Sequence, residues 1–334
     1  MHGPVLGVPQ GVDMTSHDVA VVRPAARLPW WWRLVVSYLR CEGPGWGRLY
    51  ALAGGNDPSR WRDAGRASMR GKLHGYAVEM DLANWSERLS WCLGRYHDLP
   101  IQMALRTVLR PGDCFVDVGA NLGMLSLLAR RLVGEQGEVR ACEPNPELHR
   151  RFAATLAANG LHDVRQLRTA LGATPGEARL REFAGHSGWG TLADHGPGGA
   201  AETASWQVPI AVGDELLADL APQRPLVIKI DVEGFEVPVL QGLQRTLAER
   251  RPLVFVEVAE AHQARAGHSI EALLAAIEPH GYRGYALALR RRLPWGRRLT
   301  LTPFAAAKGS EIDALFVPEH GVLTERLAAA GLQL

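Results

Sequence analysis

The chain has 334 residues, 47% of them hydrophobic and 22% charged, with 37 basic against 35 acidic side chains for a formal charge of +2. That is the balance of an ordinary globular protein with a sizeable core, and it gives no electrostatic case for a nucleic-acid partner. No run approaches the roughly 18 apolar residues of a membrane span, the N-terminus lacks a signal-type h-region, and Cys41, Cys92, Cys114 and Cys142 share no metal-ligand spacing, so the expectation is a cytoplasmic protein with reduced thiols.

Residues 1–70 read as a Trp/Arg-rich extension, disordered up to about residue 25, and 71–334 as the main domain. Seven of the ten tryptophans lie in the first hundred residues. PWWWRLVVSYLR (29–40) reads as an amphipathic helix. Its tryptophans and arginines suit weak peripheral contact with a membrane surface, but a helix packed on the main domain is the simpler expectation. GKLHGYAVEMDLA (71–83) suggests a hairpin.

From residue 99 strands and helices alternate, the pattern of a parallel sheet covered on both faces. PIQMALRTVL is a helix, CFVDVG a strand, NLGMLSLLARRLV its helix, and EVRACE the second strand. A helix follows from Pro144-Asn145-Pro146 to Asn159-Gly160, where the two last residue types tolerate a left-handed cap. VRQLRTAL reads as a third strand. Residues 172–212 look glycine-rich and irregular, with strand-like pieces at ARLREF and SWQVPIAV. LVIKID, LVFVEVAE, YRGYALAL and DALFVP complete seven strands, the last two antiparallel, with helices at VPVLQGLQRTL, Ser269–His280 and the C-terminus. The expected fold is α/β, a doubly wound sheet with a modified edge.

VDVGANLG (116–123) occupies the first strand-to-helix turn, where a doubly wound sheet binds nucleotide-like ligands. Gly119 lets the backbone turn sharply, Asn121 tolerates unusual angles, and Gly123 allows close helix packing. Position 121 is not glycine and Met124 stands where the dinucleotide fingerprint has its third glycine, so a nicotinamide-dependent oxidoreductase is the poorer alternative. Asp117 suits a cationic ligand better than a diphosphate. Glu143 ends the second strand 20 residues beyond Gly123, the place of an acid that accepts two ribose hydroxyls. An adenosine with a positive sulfur and no phosphate is S-adenosylmethionine.

LVIKIDVEGFE (226–236) places Lys229, Asp231 and Glu233 on one face, emerging at the carboxyl end of the fourth strand, with Gly234 permitting the next turn. Lys229 is costly to bury alone and needs an acid such as Asp231 or Glu257. Asp231 is the first candidate to orient or deprotonate an acceptor hydroxyl and Glu233 the second, against a reading in which both only cap a helix and pair with cations. Acids at 231, 233 and 257 also have the oxygen chemistry of a magnesium site, which spacing leaves open.

VDVGANLG, CEPNP (142–146), TALG (169–172) and KIDVEGFEVPVLQG (229–242), followed by Glu257, occur in that order and together resemble the FkbM family of S-adenosylmethionine-dependent methyltransferases over roughly residues 70–260. The resemblance implies a class I (Rossmann-like) methyltransferase sheet and O-methylation of a hydroxyl on a sugar of a glycan or glycolipid, or on a natural product. It implies cofactor contacts at Asp117, Gly119, Asn121, Gly123, Glu143 and Ala170. It also places Lys229, Asp231, Glu233 and Gly234 on the family's most distinctive motif. A threonine-leucine-aspartate run usual before that motif is AVGDELL here, with only Asp214 in a comparable place. A methyltransferase-like module without catalysis is the remaining alternative. In the insert FAGHSGWGTLADHGPGGAAE, His186, Trp189 and His195 are candidates to close over a sugar ring, with a histidine as base, against a plain surface loop. RRRLPWGRR (290–298) reads as a solvated hairpin rather than a site for an anionic carrier.

Overall fold

The computed structural model describes residues 29–183, 190–193, 200–292, 296–304 and 311–334. His186, Trp189 and His195 therefore lie outside the described residues.

The strands are β1 (Arg66–Arg70), β2 (Ala77–Asp81), β3 (Cys114–Val118), β4 (Glu138–Cys142), β5 (Val164–Leu167), β6 (Ala170–Gly172), β7 (Gly176–Phe183), β8 (Glu202–Val212), β9 (Leu226–Ile230), β10 (Leu253–Ala259), β11 (Tyr282–Arg292), β12 (Gly296–Pro303) and β13 (Glu311–Pro318). The main sheet has eight strands in the order β12-β11-β13-β10-β9-β3-β4-β5. β10, β9, β3, β4 and β5 are parallel, and β13, β11 and β12 join antiparallel.

This corrects the expected seven strands. The extra strand is β12, in which the arginines of the 290–298 run pair across the hairpin, Arg290 with Arg298 and Arg291 with Arg297. Alternating Leu299 and Leu301 bury one of its faces. The expected third strand also divides. Val164–Leu167 stays in the main sheet, while Ala170–Gly172 pairs with β8 in a separate three-stranded sheet with β7. The insert read as irregular is thus mostly a long hairpin, β7–β8.

Two buried clusters cover the main sheet. Phe115, Val227, Phe255 and Leu315 face the helices Leu99–Val108 and Met124–Val133, whereas Val116, Ile228, Val254 and Phe316 face Glu236–Gln241 and Ile270–Ile277. β3, β9 and β10 are buried on both faces, hence the apolar runs LVI and LVFV, with Lys229 the one charged residue within β9. Trp32, Val36 and Leu39 of helix Trp30–Cys41 pack into the first cluster, leaving Trp30 and Leu34 outside. Among the described residues no helix is long and apolar enough to cross a membrane.

Candidate active site

A cavity of about 650 Å³ opens at the carboxyl ends of β3, β4 and β9. Here β3 lies between β4 and β9, the point where the strand order reverses. Asp117, Gly119, Asn121, Glu143, Ala170, Lys229, Asp231 and Glu233 all line it. Gly123 does not; it packs the loop from behind.

The loop after β3 works through backbone shape. Gly119, Asn121 and Gly123 have φ of +77°, +52° and +72°. A Cβ on Gly119 would sit 1.8 Å from the carbonyl oxygen of Asp231, so the loop and the end of β9 touch backbone to backbone. A Cβ on Gly123 would strike the Phe152 ring. The Gly119 and Ala120 N–H groups both donate to the Cys142 carbonyl at 3.0 Å, tying the loop to β4.

Glu143, 6% exposed, accepts from the backbone N–H of Asn121 at 2.7 Å through one oxygen and of Asn145 at 2.9 Å through the other. Burial pushes its carboxyl up to about 7 despite those two bonds. Each oxygen keeps a second lone pair for a ligand. Asp117 pairs in register with Lys229. Its Oδ2 accepts from Ser126 Oγ at 2.6 Å, and its Oδ1, 3.6 Å from the Lys229 ammonium, has no hydrogen-bond partner. Burial raises the Asp117 carboxyl; Lys229 and Ser126 offset this only in part.

Lys229 Nζ donates to the Gly119 carbonyl at 2.8 Å and lies 3.1 Å from Asp231 Oδ2. Burial disfavours its charge, but Asp231 and Asp117 outweigh burial and raise its pKa, so it stays an ammonium. It is accordingly a counter-ion and a brace for the glycine loop, not a proton acceptor. Asp231 is the more open member of the pair, with 28% of its side chain exposed.

The three acids of the motif separate. Glu233, at φ +55°, turns toward His262 Nδ1 at 3.2 Å, which Glu257 also approaches at 3.3 Å. Ligand atoms of Glu233, Glu257 and His262 all lie within 4.8 Å of one another, a set able to ligate a divalent ion. The magnesium reading drawn from 231, 233 and 257 thus shifts: Asp231 is engaged with Lys229, and His262, which spacing did not suggest, takes the third place. Glu236 is structural. Buried at 1% exposure, it accepts from the N–H groups of Val232 and Gly234 at 3.1 and 3.2 Å and from Gln263, closing the turn before its helix. Asp214 accepts from the Arg245 and Thr246 N–H groups, both at 2.8 Å, and does not line the cavity.

Further lining residues were not legible in the sequence. Trp85, Tyr96, His97, Asp98 and Asp313 line the same cavity. They come from chain segments that only the fold brings together. Gly190 and Leu192 of the 190–193 segment line it too, and Thr191 Oγ1 donates to the Glu233 carbonyl at 2.9 Å.

The curated relative "Hexuronic acid methyltransferase AglP" of Haloferax volcanii is 26% identical over 186 residues, 54% of this chain and 71% of its own length. Among solved structures, methyltransferase FkbM from Methylobacillus flagellatus shares 14% identity over 82% of this chain and 60% of its own, at a TM-score of 0.36. Precorrin-6y C5,15-methyltransferase from Geobacter metallireducens shares 13% over 65% and 85%, at 0.37. Those structural scores are too low to bear on the site. The family model "Methyltransferase FkbM domain" matches residues 117–283, half of the chain, from the acid of the glycine loop through β10 into β11. The chain belongs to the FkbM methyltransferase family.

Proposed function

We propose that the protein is an S-adenosylmethionine-dependent O-methyltransferase acting on a hydroxyl of a sugar, free or carried on a glycan or lipid. The observation that carries this reading is the convergence of Asp117, Glu143 and Asp231 on one cavity at the reversal point of the sheet. A relative named for a hexuronic acid supports a sugar acceptor.

The residues present fit this cofactor. Glu143 offers acceptor oxygens for ribose hydroxyls, and Ala170 lines the cavity without a polar side chain to hinder an adenine. The unpartnered Asp117 Oδ1 suits an ammonium or sulfonium. Gly119 presents its backbone to the cavity while its side-chain direction is closed by the Asp231 carbonyl. When bound, S-adenosylmethionine supplies an electrophilic methyl group.

The chain's own residues then have to orient and deprotonate the acceptor. Asp231, ion-paired with Lys229 at 3.1 Å, accepts the hydroxyl proton. Lys229 fixes the Asp231 carboxylate relative to the glycine loop through its bond to Gly119. Glu233, braced against His262, is the second acceptor.

Transfer of a labelled methyl group from S-adenosylmethionine to a panel of aryl glycosides tests the reading. Asp231→Asn is expected to lower kcat by about 10²- to 10⁴-fold while leaving cofactor affinity within about threefold. Unchanged turnover in that variant would remove Asp231 from the chemistry.

A further inference from the structure

The part of the cavity that carries Asp117, Glu143 and Asp231 lies within the family match, whereas Met80, Trp85, Ser86, Tyr96, His97 and Asp98 all precede its start at residue 117. This stretch of wall therefore comes from the segment before the match. Of the large apolar side chains left exposed among the described residues, Trp85 alone lines the cavity. Trp32, Trp61 and Trp91 are buried in the core, and the exposed Trp30 does not line the cavity.

The indole is held in place from several sides. Asn84 caps the helix Trp85–Leu93, its side chain accepting from the Glu87 N–H at 3.1 Å, so Trp85 opens a fixed first turn. The Trp85 Nε1–H donates to Asn56 Oδ1 at 3.3 Å, and the ring meets that of His97 with centroids 5.8 Å apart and planes at 62°. His97 is fixed in turn: its backbone N–H donates to Ser90 Oγ at 3.1 Å, and its ring centroid lies 4.4 Å from that of Tyr96. With its one polar group satisfied, Trp85 is still 36% exposed, and what it offers the cavity is apolar ring surface.

An apolar surface kept open on a concave wall is stabilised when an apolar face covers it. The neighbouring groups narrow the kind of face. Ser86, the next residue, donates to Asn84 Oδ1 at 2.9 Å and keeps its lone pairs as acceptors, and Asp98 lines the same wall. A ligand that suits both has an apolar face and a hydroxylated edge. A pyranose has this form: its axial C–H bonds make the face and its equatorial hydroxyls the edge. Resting on the reading of the site as a sugar O-methyltransferase, we propose that Trp85 is the acceptor platform, on which the C–H face of the methylated sugar packs while a ring hydroxyl is presented to Asp231.

The test is labelled methyl transfer from S-adenosylmethionine to methyl glucoside, galactoside and mannoside by the wild-type chain, Trp85→Leu and Trp85→Phe, with calorimetric binding of the cofactor on each preparation. Methyl glycosides are the probe because an aryl group would itself stack on the indole. Trp85→Leu is expected to raise KM for the best glycoside by about tenfold or more, with kcat and cofactor affinity within about threefold of wild type. Trp85→Phe, which restores a ring face, is expected to keep KM within about threefold. Where Trp85→Leu does not fold, the full chain labelled with 5-fluorotryptophan decides: the fluorine resonance absent from Trp85→Phe is expected to shift on saturation with that glycoside. An unchanged KM in Trp85→Leu, or a resonance that does not move, would overturn the inference and leave the proposed function standing. Methylation of no glycoside although the cofactor binds would take down the sugar-acceptor reading, and this inference with it.

Discussion

Glu143 is the residue at which the site's electrostatics become measurable. With its carboxyl raised to about 7 by burial, it is close to half protonated at neutral pH. Ribose hydroxyls donate better to the ionised form, so a bound cofactor would lower this pKa, and affinity must then grow as the free protein's Glu143 ionises. Affinity for S-adenosylmethionine is therefore expected to rise about tenfold from pH 6 to pH 8, with Glu143→Gln weaker and flat over the same range. Calorimetric titrations across that range check it, and a flat wild-type profile would show that Glu143 serves the backbone of Asn121 and Asn145 alone. Much at this scale was legible in the sequence. An isolated lysine in a core strand announces a buried counter-ion, and Asp231 and Asp117 supply it. Glu236 was not separable from Glu233 by sequence, because the distinction depends on which one the turn's N–H groups and Gln263 enclose.

At the scale of elements, the glycine loop and the end of β9 form one unit. Gly119 combines a positive φ with an approach to the Asp231 carbonyl too close for any side chain. Gly119→Ala is accordingly expected to cost about 2 kcal/mol or more, from the left-handed backbone alone and before the displacement of Asp231 is counted. Chemical denaturation measures that loss, and a variant of unchanged stability would mean the contact relaxes freely. Such a loop is readable because its glycines encode backbone angles directly. β12 was overlooked although Leu299 and Leu301 alternate, because the arginines around them dominate the stretch. The break between β5 and β6 falls at Arg168-Thr169, without glycine or proline to mark it. It is enforced by pairing: Ala170–Gly172 aligns with β8, and Thr169 Oγ1 donates to the Pro209 carbonyl. Composition favoured loops in 172–212, but the two strands of the hairpin satisfy each other's backbone groups, and local propensity does not record that.

Across the whole molecule, the first hundred residues contribute to the site although they precede the family match. Glu42 pairs with Arg95 through both carboxylate oxygens at 2.8 Å and meets Lys72 and Arg297 as well. Burial would raise the Glu42 carboxyl, but hydrogen bonds from Arg95 and Lys72 prevail and hold it at about 2. Arg95 in turn donates to the carbonyls of Tyr96 and His97, which fixes the wall that carries Asp98. The tryptophan-rich helix thus packs on the main domain through Trp32, Val36 and Leu39, as the simpler expectation had it. Asp98 and Asp313 line one cavity from positions 215 residues apart, and no spacing rule reaches that far. What the sequence made visible is the half of the cavity built on short motifs; the half assembled by the sheet edge and the N-terminal segment needed the fold.

S-adenosylmethionine is the ligand expected in this cavity. Calorimetric titration of the full chain with S-adenosylmethionine, and separately with NADH, tests it most directly. Saturable one-to-one binding of S-adenosylmethionine is expected, weakened at least about tenfold by Asp117→Asn, with no binding of NADH. Binding of NADH with no response to S-adenosylmethionine would contradict it.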